Sequence, residues 1–128
     1  MSDNLGDLGW PEATLFDFSF NGTELKFSML DLLAYGNPLK FEVAKVAISD
    51  IEALRIELSP YVSGAYKSKI VPVDIGSTNG ECEGFEGIIH ENHFCETKGE
   101  YFWISSDLKA NNIEVERTGE FKYVPRAG

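Results

Sequence analysis

One stretch decides the fold: Thr14-Leu-Phe-Asp-Phe-Ser-Phe20-Asn21-Gly22-Thr23-Glu-Leu-Lys-Phe-Ser28, in which polar and apolar residues alternate on both sides of a turn signal. Asn-Gly supplies the two positive φ angles that a type I′ turn needs, and the alternation is typical of half-buried strands. The stretch therefore predicts a β-hairpin with a two-residue loop.

A two-residue loop also fixes which side chains of the hairpin oppose each other. It places Phe16 opposite Phe27, and Phe18 opposite Leu25, on the face that is buried. A register slip of one residue would move the phenylalanines of the first strand into water. We therefore predict a hairpin in which Phe16 and Phe27 are paired in the core.

Residues 28–36 fit either a short helix or a continuation of the second hairpin strand. Ser28-Met-Leu-Asp31 has the pattern of a capping box, and Gly36 is placed to end a helix of one or two turns. In the alternative, the strand runs on to Asp31. The residues leave both alternatives open.

Residues 49–58 also fit two structures. A capping-box pattern spans residues 49–52 and would begin a helix. Such a helix would expose Ile56, whereas a strand places it on one face with its leucine neighbours. We therefore favour two strands between residues 40 and 58, separated by Ser49-Asp50.

The remainder of the chain is a series of short strand candidates between turn signals. They span residues 66–75, broken by Pro72; residues 88–97 and 101–106, around Lys98-Gly99; and residues 112–116 and 121–124, around Thr118-Gly119. The Gly-rich residues 76–87 are interpreted as a loop. About eight or nine strands predict one mostly β domain over residues 1–128, an antiparallel sandwich or rolled sheet built from hairpins. An α+β arrangement with at most one or two short helices is the alternative.

The chain is strongly acidic, and the surplus is concentrated in two segments. Its 128 residues carry 21 acidic and 11 basic side chains, a net charge of −10. Residues 1–24 hold five acids and no base (−5), and residues 74–100 hold seven acids and one base (−6). Such a surface repels phosphate backbones and anionic lipids, so we expect neither nucleic acid nor a membrane as a partner. Without a long apolar run or a signal-peptide pattern, we expect a cytoplasmic location.

The second acidic segment is the predicted partner-binding surface. Loops on a rigid sheet commonly carry binding residues, and aromatic side chains commonly anchor the centre of a contact. The predicted binding residues are Glu81, Glu83, Phe85, Glu86, Glu91, Glu96 and Tyr101. A basic protein surface is the partner that this charge favours.

One cluster has side chains that suit zinc binding or nucleophilic catalysis. It consists of Cys82, His90, Glu91, His93 and Cys95. The two cysteines lack the close spacing that anchors most structural zinc sites, and a reactive thiolate needs an electropositive setting that this acidic segment does not provide. We therefore predict no metal, no cofactor and no catalytic residue. Whether Cys82 and Cys95 form a disulfide is left open.

The strand pattern resembles that of a family of bacterial proteins. The residues that carry it are Leu15-Phe-Asp-Phe-Ser-Phe-Asn-Gly-Thr-Glu-Leu-Lys-Phe27 and Val43-Ala-Lys-Val-Ala-Ile-Ser-Asp-Ile-Glu-Ala-Leu-Arg-Ile56. They are similar to small immunity proteins of polymorphic-toxin and contact-dependent inhibition systems. The resemblance implies a non-enzymatic antitoxin that binds and blocks one toxin domain, often a nuclease, through an acidic surface.

The sequence therefore predicts a cytoplasmic inhibitor of a basic toxin domain. A nuclease cleft is basic because it holds phosphates, so an acidic inhibitor complements its charge and associates with it quickly. The alternatives are a small-molecule or metal-binding β domain that uses the cluster from His90 to Cys95, and a small enzyme. The oligomeric state is not specified by the residues.

Overall fold

The computed structural model describes Leu5, Leu8 and residues 13–80, 82–90 and 101–125. Seven strands occupy most of these residues: β1 Thr14–Phe20, β2 Leu25–Ala34, β3 Leu39–Val62, β4 Ala65–Tyr66, β5 Ile70–Ile75, β6 Glu86–Ile89 and β7 Tyr101–Val124. The described residues contain no α-helix, so the predicted mostly β fold is confirmed. Accordingly, no helix in this part of the chain is long and apolar enough to cross a membrane.

The strands form one mixed sheet that closes on itself. Its order is β2-β1-β6-β7-β3-β4, with β5 paired to β3, and β2 also pairs with β3. The pairings of β1, β2, β3, β7 and β6 therefore make a ring. Of the two predicted forms, this is a rolled sheet, and it is not purely antiparallel because β1 and β6 run parallel.

The parallel junction between β1 and β6 depends on close backbone approach. Thr14 lies opposite Ile88, and Leu15 lies opposite Ile89. A Cβ atom on Gly87 would lie 2.5 Å from the carbonyl oxygen of Ala13. Glycine is therefore required at this position for the ring to close.

The predicted β1–β2 hairpin is present, but its loop and register differ from the prediction. The loop spans four residues, because Phe20 lies opposite Leu25. The side-chain Oδ1 of Asn21 accepts hydrogen bonds from the backbone N–H groups of Thr23 (3.0 Å) and Glu24 (2.8 Å). Only Gly22 of the Asn-Gly pair has a positive φ, of 97°, so a type I′ turn does not form. The asparagine builds an Asx turn instead.

A β-bulge in β1 changes which phenylalanines face the core. The register shifts between Phe16 and Ser19, where Asp17 takes a φ of 52°. Phe16 therefore lies opposite Ser28 and is half-buried, and the predicted pairing of Phe16 with Phe27 is wrong. The extra residue at the bulge reverses which alternate positions of β1 face the core. Phe18, which follows the shift, is therefore buried as predicted.

Both stretches that fit a helix or a strand are strands. β2 continues to Ala34, so residues 28–36 form no helix. β3 runs without interruption from Leu39 to Val62, where the pattern predicts two strands. Asp50 has a φ of 52°, and the register with β7 shifts at Glu52, so Ser49-Asp50 bends the strand without ending it.

β7 is likewise one strand where three were predicted, over residues 101–106, 112–116 and 121–124. Residues 118–120 form a bulge opposite Val43, since Glu42 lies opposite Phe121 and Ala44 lies opposite Arg117. The Thr118 hydroxyl donates a 2.6 Å hydrogen bond to the carbonyl oxygen of Val43. Thr118-Gly119 is therefore a bulge, not a hairpin turn, with the positive φ of 74° falling on the glycine.

The other predicted strands are confirmed in part. Residues 65–66 form the short strand β4, and residues 70–75 form the edge strand β5, which contains Pro72. β6 begins at Glu86, inside the predicted loop, and pairs antiparallel with β7. The predicted Lys98-Gly99 turn lies outside the described residues.

The core fills the inside of the ring. Leu25, Phe27 and Met29 of β2 are buried, as the hairpin alternation predicts. The ring of Phe85 lies 4.9 Å from that of Phe27 and 6.1 Å from that of Phe18, between centroids. The further buried apolar side chains include Leu5, Leu8, Val46, Ile48, Leu54, Ile56, Leu58, Phe102, Ile104, Leu108 and Val115. Sequence alternation in β2, β3 and β7 thus supplies one continuous core.

Three charged groups lie together at one end of this core. Asp31 and Glu42 are buried and lie opposite each other on β2 and β3. Arg117 Nη1 donates to Asp31 Oδ2 at 2.8 Å and to Glu42 Oε1 at 3.1 Å. Like charges directly opposite in a sheet repel, so the guanidinium is what allows both carboxylates to be buried there.

Substitution of the phenylalanines tests the bulge at Asp17. Phe18→Ala should reduce the free energy of unfolding by about 3–5 kcal/mol, because the ring is fully packed. Phe16→Ala should cost roughly half as much or less, because that ring is half-buried. Urea unfolding of the two variants measures both values. Equal losses of unfolding free energy in the two variants would contradict the bulge and support an uninterrupted alternation in β1.

Candidate interaction face

The outer side of β4, β3, β7 and β6 carries the aromatic and charged side chains that best suit a binding function. On β3, β6 and β7 the alternate residues are buried in the core, which turns their neighbours outward. We call this surface the tyrosine face. It comprises Arg55, Glu57, Ser59, Tyr61, Tyr66, Lys69, Asp74, Glu86, Ile88, His90, Tyr101, Trp103, Ser105 and Asp107.

Four rings form a row across four strands at one end of this face. Tyr61 and Tyr101 lie opposite each other, and their rings stack with centroids 4.5 Å apart and planes 12° apart. Tyr66 meets Tyr61 edge-on at 5.1 Å. His90 lies 6.0 Å from Tyr101 on the other side. The row is a preformed aromatic surface, because each ring is held by its neighbours.

The turn between β3 and β4 places Tyr66 in this row. Tyr61 pairs with Tyr66, and Val62 pairs with Ala65, which leaves the two-residue loop Ser63-Gly64. Both loop residues have positive φ angles, of 51° and 86°. This is the dihedral signature of a type I′ turn, which the sequence analysis assigns to Asn21-Gly22.

The tyrosine hydroxyls change the acidity of Tyr101. Burial, together with the neighbouring phenols of Tyr66 and Tyr61, raises the pKa of Tyr101 to about 12. Hydrogen bonds among the three phenols contribute to the same shift. The Tyr101 side chain is therefore neutral throughout the neutral and mildly alkaline range, and the row presents uncharged rings.

Ion pairs organise the part of the face on β3 and β5. Arg55 Nη1 lies 2.9 Å from Asp74 Oδ2, and Arg55 Nε lies 3.3 Å from Glu57 Oε1. Lys69 Nζ lies 3.3 Å from Glu57 Oε2. Burial alone would raise the pKa of Glu57, but the hydrogen bonds and charges of Lys69 and Arg55 outweigh it and hold this pKa below its usual value.

The part of the face on β6 and β7 is acidic. Asp107 lies opposite Arg55, and Glu86 lies opposite Ser105. No ion pair joins Glu86 or Asp107 to another described residue. Both carboxylates lie at the surface of this face, where a cationic partner can reach them.

A cleft of about 510 Å³ adjoins the acidic side. It is lined by Glu52, Cys82, Glu83, Leu108, Lys109, Ala110 and Asn111. Cys82 is a free thiol whose S–H donates to the carbonyl oxygen of Thr78 at 2.9 Å. The amine of Lys109 donates to the carbonyl oxygen of Asn79, and its positive charge lies in the same cleft as Glu52 and Glu83.

The structure brings two of the predicted binding residues, Glu86 and Tyr101, to one surface, where both are half-buried. Glu83 is exposed, but it lies opposite the buried Leu108, so it is on the core side of the sheet and not on the tyrosine face. Phe85 is 2% exposed and packs in the core, so it does not anchor a contact as predicted. Its burial follows from the alternation of β6, in which Gly87 and Ile89 also face inward. Glu81, Glu91 and Glu96 lie outside the described residues.

Sequence analysis missed Tyr61, Tyr66, Arg55 and Asp107. The signal for the first two was the Ser63-Gly64 turn, which sets the tyrosines opposite each other across a two-residue loop. Arg55 and Asp107 become neighbours only through the pairing of β3 with β7, and no local pattern indicates that register.

The described members of the cluster that was weighed as a metal or nucleophile site do not lie together. Cys82 precedes the bridge to Leu108, whereas His90 follows Ile89, which lies opposite Phe102. Six strand residues separate these points on β7, which is roughly 20 Å. Glu91, His93 and Cys95 lie outside the described residues.

The largest cavity of the described residues lies on the outer side of β2, β3 and β7, away from the tyrosine face. It is a groove of about 810 Å³ lined by Asp17, Lys26, Phe27, Ser28, Lys45, Val46, Ala47, Glu114, Val115, Glu116 and Arg117. Charges of both signs border a floor of small side chains. This mixture is typical of the solvated face of a sheet and specifies no ligand.

Comparison of the chain with protein-family models, with curated proteins and with solved structures gives no match. The geometry and charge of the tyrosine face are therefore the features that bear on function.

Alkaline titration tests the tyrosine row. Tyr101 should ionise near pH 12, two units above an ordinary tyrosine, and Tyr101→Phe should remove that late step from the absorbance titration. The pKa of Tyr101 is raised in the folded state only. The neutral side chain therefore contributes fully to the free energy of unfolding below pH 10, and this contribution is lost as the pH rises toward 12. A titration in which all tyrosines ionise together near pH 10, while the fold is intact, would contradict the row.

Proposed function

We propose that this protein is a non-enzymatic immunity protein of the bacterial cytoplasm that binds and neutralises a cognate toxin domain. The observation that carries the proposal is the position of Tyr101 and Glu86 on one face with two further tyrosines and Trp103. Tyrosine, tryptophan and arginine are the residues most enriched at the energetic centres of protein interfaces.

The aromatic row suits the centre of such a contact. Tyr61 and Tyr101 are already stacked, so little side-chain freedom is lost when a partner covers them. Trp103 lies one row further along the face, opposite Ser59. A partner that buries these rings would gain apolar contact while their polar atoms remain at the edge of the contact.

The acidic side suits the approach of a basic toxin. Glu86 and Asp107 extend the aromatic row along the strands, and the chain as a whole carries −10. A nuclease cleft is basic because it binds phosphates, and complementary charge accelerates association. The proposed toxin is therefore one with a basic active site.

Charge reversal tests the acidic side. The double variant Glu86→Lys, Asp107→Lys should slow association with the cognate toxin domain by about tenfold at low salt, because the local attraction is reversed. The dissociation rate should change little. Stopped-flow or surface-plasmon measurements at several salt concentrations give both rates.

The matched control is the double variant Glu114→Lys, Glu116→Lys. It changes the net charge equally, on exposed β7 residues away from the tyrosine face. It should slow association less than the Glu86 and Asp107 variant. Equal effects of the two variants would show that only net charge matters, and a toxin domain that does not bind the wild-type protein would reject the proposed function.

A further inference from the structure

Tyr61 and Tyr101 make the closest and flattest ring contact in the tyrosine row. They lie opposite each other on β3 and β7, with ring centroids 4.5 Å apart and planes 12° apart. Carbon atoms of rings at this spacing are in van der Waals contact, roughly 3.5–4 Å apart. Tyr66 meets both rings edge-on instead, with planes turned by 72° and 82°. Within the row, flat overlap of two phenols is therefore confined to this one pair.

The hydroxyl ends of the two stacked rings lie together. The Tyr101 hydroxyl interacts with the hydroxyls of Tyr61 and Tyr66, which is one cause of its raised pKa. Two nearly parallel rings whose hydroxyls meet also bring together the ring carbons beside the hydroxyl, the Cε atoms. These are the reactive carbons of an oxidised phenol, because its unpaired electron is shared among the oxygen, the Cε atoms and Cγ, and Cγ already carries Cβ. The stack thus presents the two reactive positions to each other.

We propose that Tyr61 and Tyr101 are an oxidative cross-linking site, at which a one-electron oxidant driven by hydrogen peroxide joins the two rings through a Cε–Cε bond. The product is dityrosine, which fixes β3 to β7 at one end of the tyrosine face. A haem peroxidase is an oxidant of this class. The inference uses the geometry of the rings and does not depend on the proposed function.

The reaction balances as a two-electron oxidation. Each phenol gives up one electron and its hydroxyl proton, which leaves a phenoxyl radical on each ring. The two radicals pair to form the Cε–Cε bond, and the hydrogen on each bonded carbon then moves to the phenol oxygen, which restores both aromatic rings. In total one C–C bond forms, two ring C–H bonds break, and two electrons and two protons leave the protein. One hydrogen peroxide takes them up and becomes two molecules of water.

The fold favours this bond over links between copies of the chain. The two residues are 40 positions apart in the sequence, and the pairing of β3 with β7 holds their rings in contact. Groups held in a reactive alignment behave as if present at an effective concentration that can reach on the order of 10⁵ M. A second copy in dilute solution cannot compete with such a neighbour. Tyr66 is 49% exposed, so one side of the row is open to the oxidant.

Treatment of the full chain with a haem peroxidase and a limiting dose of hydrogen peroxide tests the site. A monomer that has lost two hydrogen atoms should appear, with the blue fluorescence of dityrosine, and peptide mapping should join Tyr61 to Tyr101. The background variant Tyr35→Phe, Tyr123→Phe is used throughout, because it removes the two tyrosines outside the row, which are 69% and 59% exposed. The protein is reduced before mass spectrometry, since a disulfide causes the same mass loss but is reversed by a thiol.

Removal of either stacked hydroxyl should suppress the product. Tyr61→Phe and Tyr101→Phe, each in the background variant, should lower the yield of oxidised monomer about tenfold, because phenylalanine keeps the ring but forms no phenoxyl radical beside its neighbour. Tyr66→Phe is the matched control, since it removes a hydroxyl from the same row. It should leave the yield within about twofold, because the flat stack of Tyr61 on Tyr101 does not require it.

Unfolding of the protein supplies an independent control. In urea the same dose of oxidant should give about tenfold less oxidised monomer, because the rings are no longer held together. Circular dichroism confirms that each variant is folded before treatment. A folded protein that gives no dityrosine at a dose that couples free tyrosine in a parallel sample would overturn the inference. So would a mapped bond between other residues, or a yield that Tyr61→Phe leaves unchanged.

Discussion

The antiparallel pairing of β3 with β7 is the interaction on which the rest of the structure depends. Both strands have 24 residues, which would extend about 80 Å if they were straight. A compact chain of 128 residues has a radius of gyration near ~14 Å, so the paired strands must coil. Because they coil, β2 beside β3 and β6 beside β7 curve towards each other. The ring closes around the core where β1, the partner of β2, pairs with β6.

Bulges make this coiling possible. The bulge near Asp50 divides β3 into a first part that pairs with β2 inside the ring and a second part that pairs with β5 and β4. The tyrosine face lies on the second part, which is why an aromatic row and two charge groups share one surface. Asp17 and Asp50 both take positive φ at a bulge, a conformation that aspartate tolerates better than most residues.

Local patterns predicted the strands well and their register poorly. Alternation in Leu25, Phe27 and Met29 identified buried positions, because burial and strand period are both local properties. The type I′ turn was assigned to Asn21-Gly22 and occurs at Ser63-Gly64, because the Asn21 side chain instead caps a longer loop. Ser49-Asp50 and Thr118-Gly119 have the residues of turns but are bulges within long strands, since pairing over the whole of β3 and β7 outweighs local turn preference. Tyr101 and the acidic residues after Gly80 were found from composition, whereas Arg55 and Asp107 required the register.

Nuclear Overhauser contacts between backbone protons on either side of Asp50 test the central pairing most directly. The account predicts contacts of Ala47 with Glu114 and of Ile56 with Ser106 in the monomeric protein, because β3 pairs with β7 before and after the bulge. If Ser49-Asp50 were a two-residue hairpin loop, Ala47 would instead contact Glu52. Contacts between Ala47 and Glu52, with none between Ala47 and Glu114, would contradict the continuous β3 strand and the tyrosine face built on it.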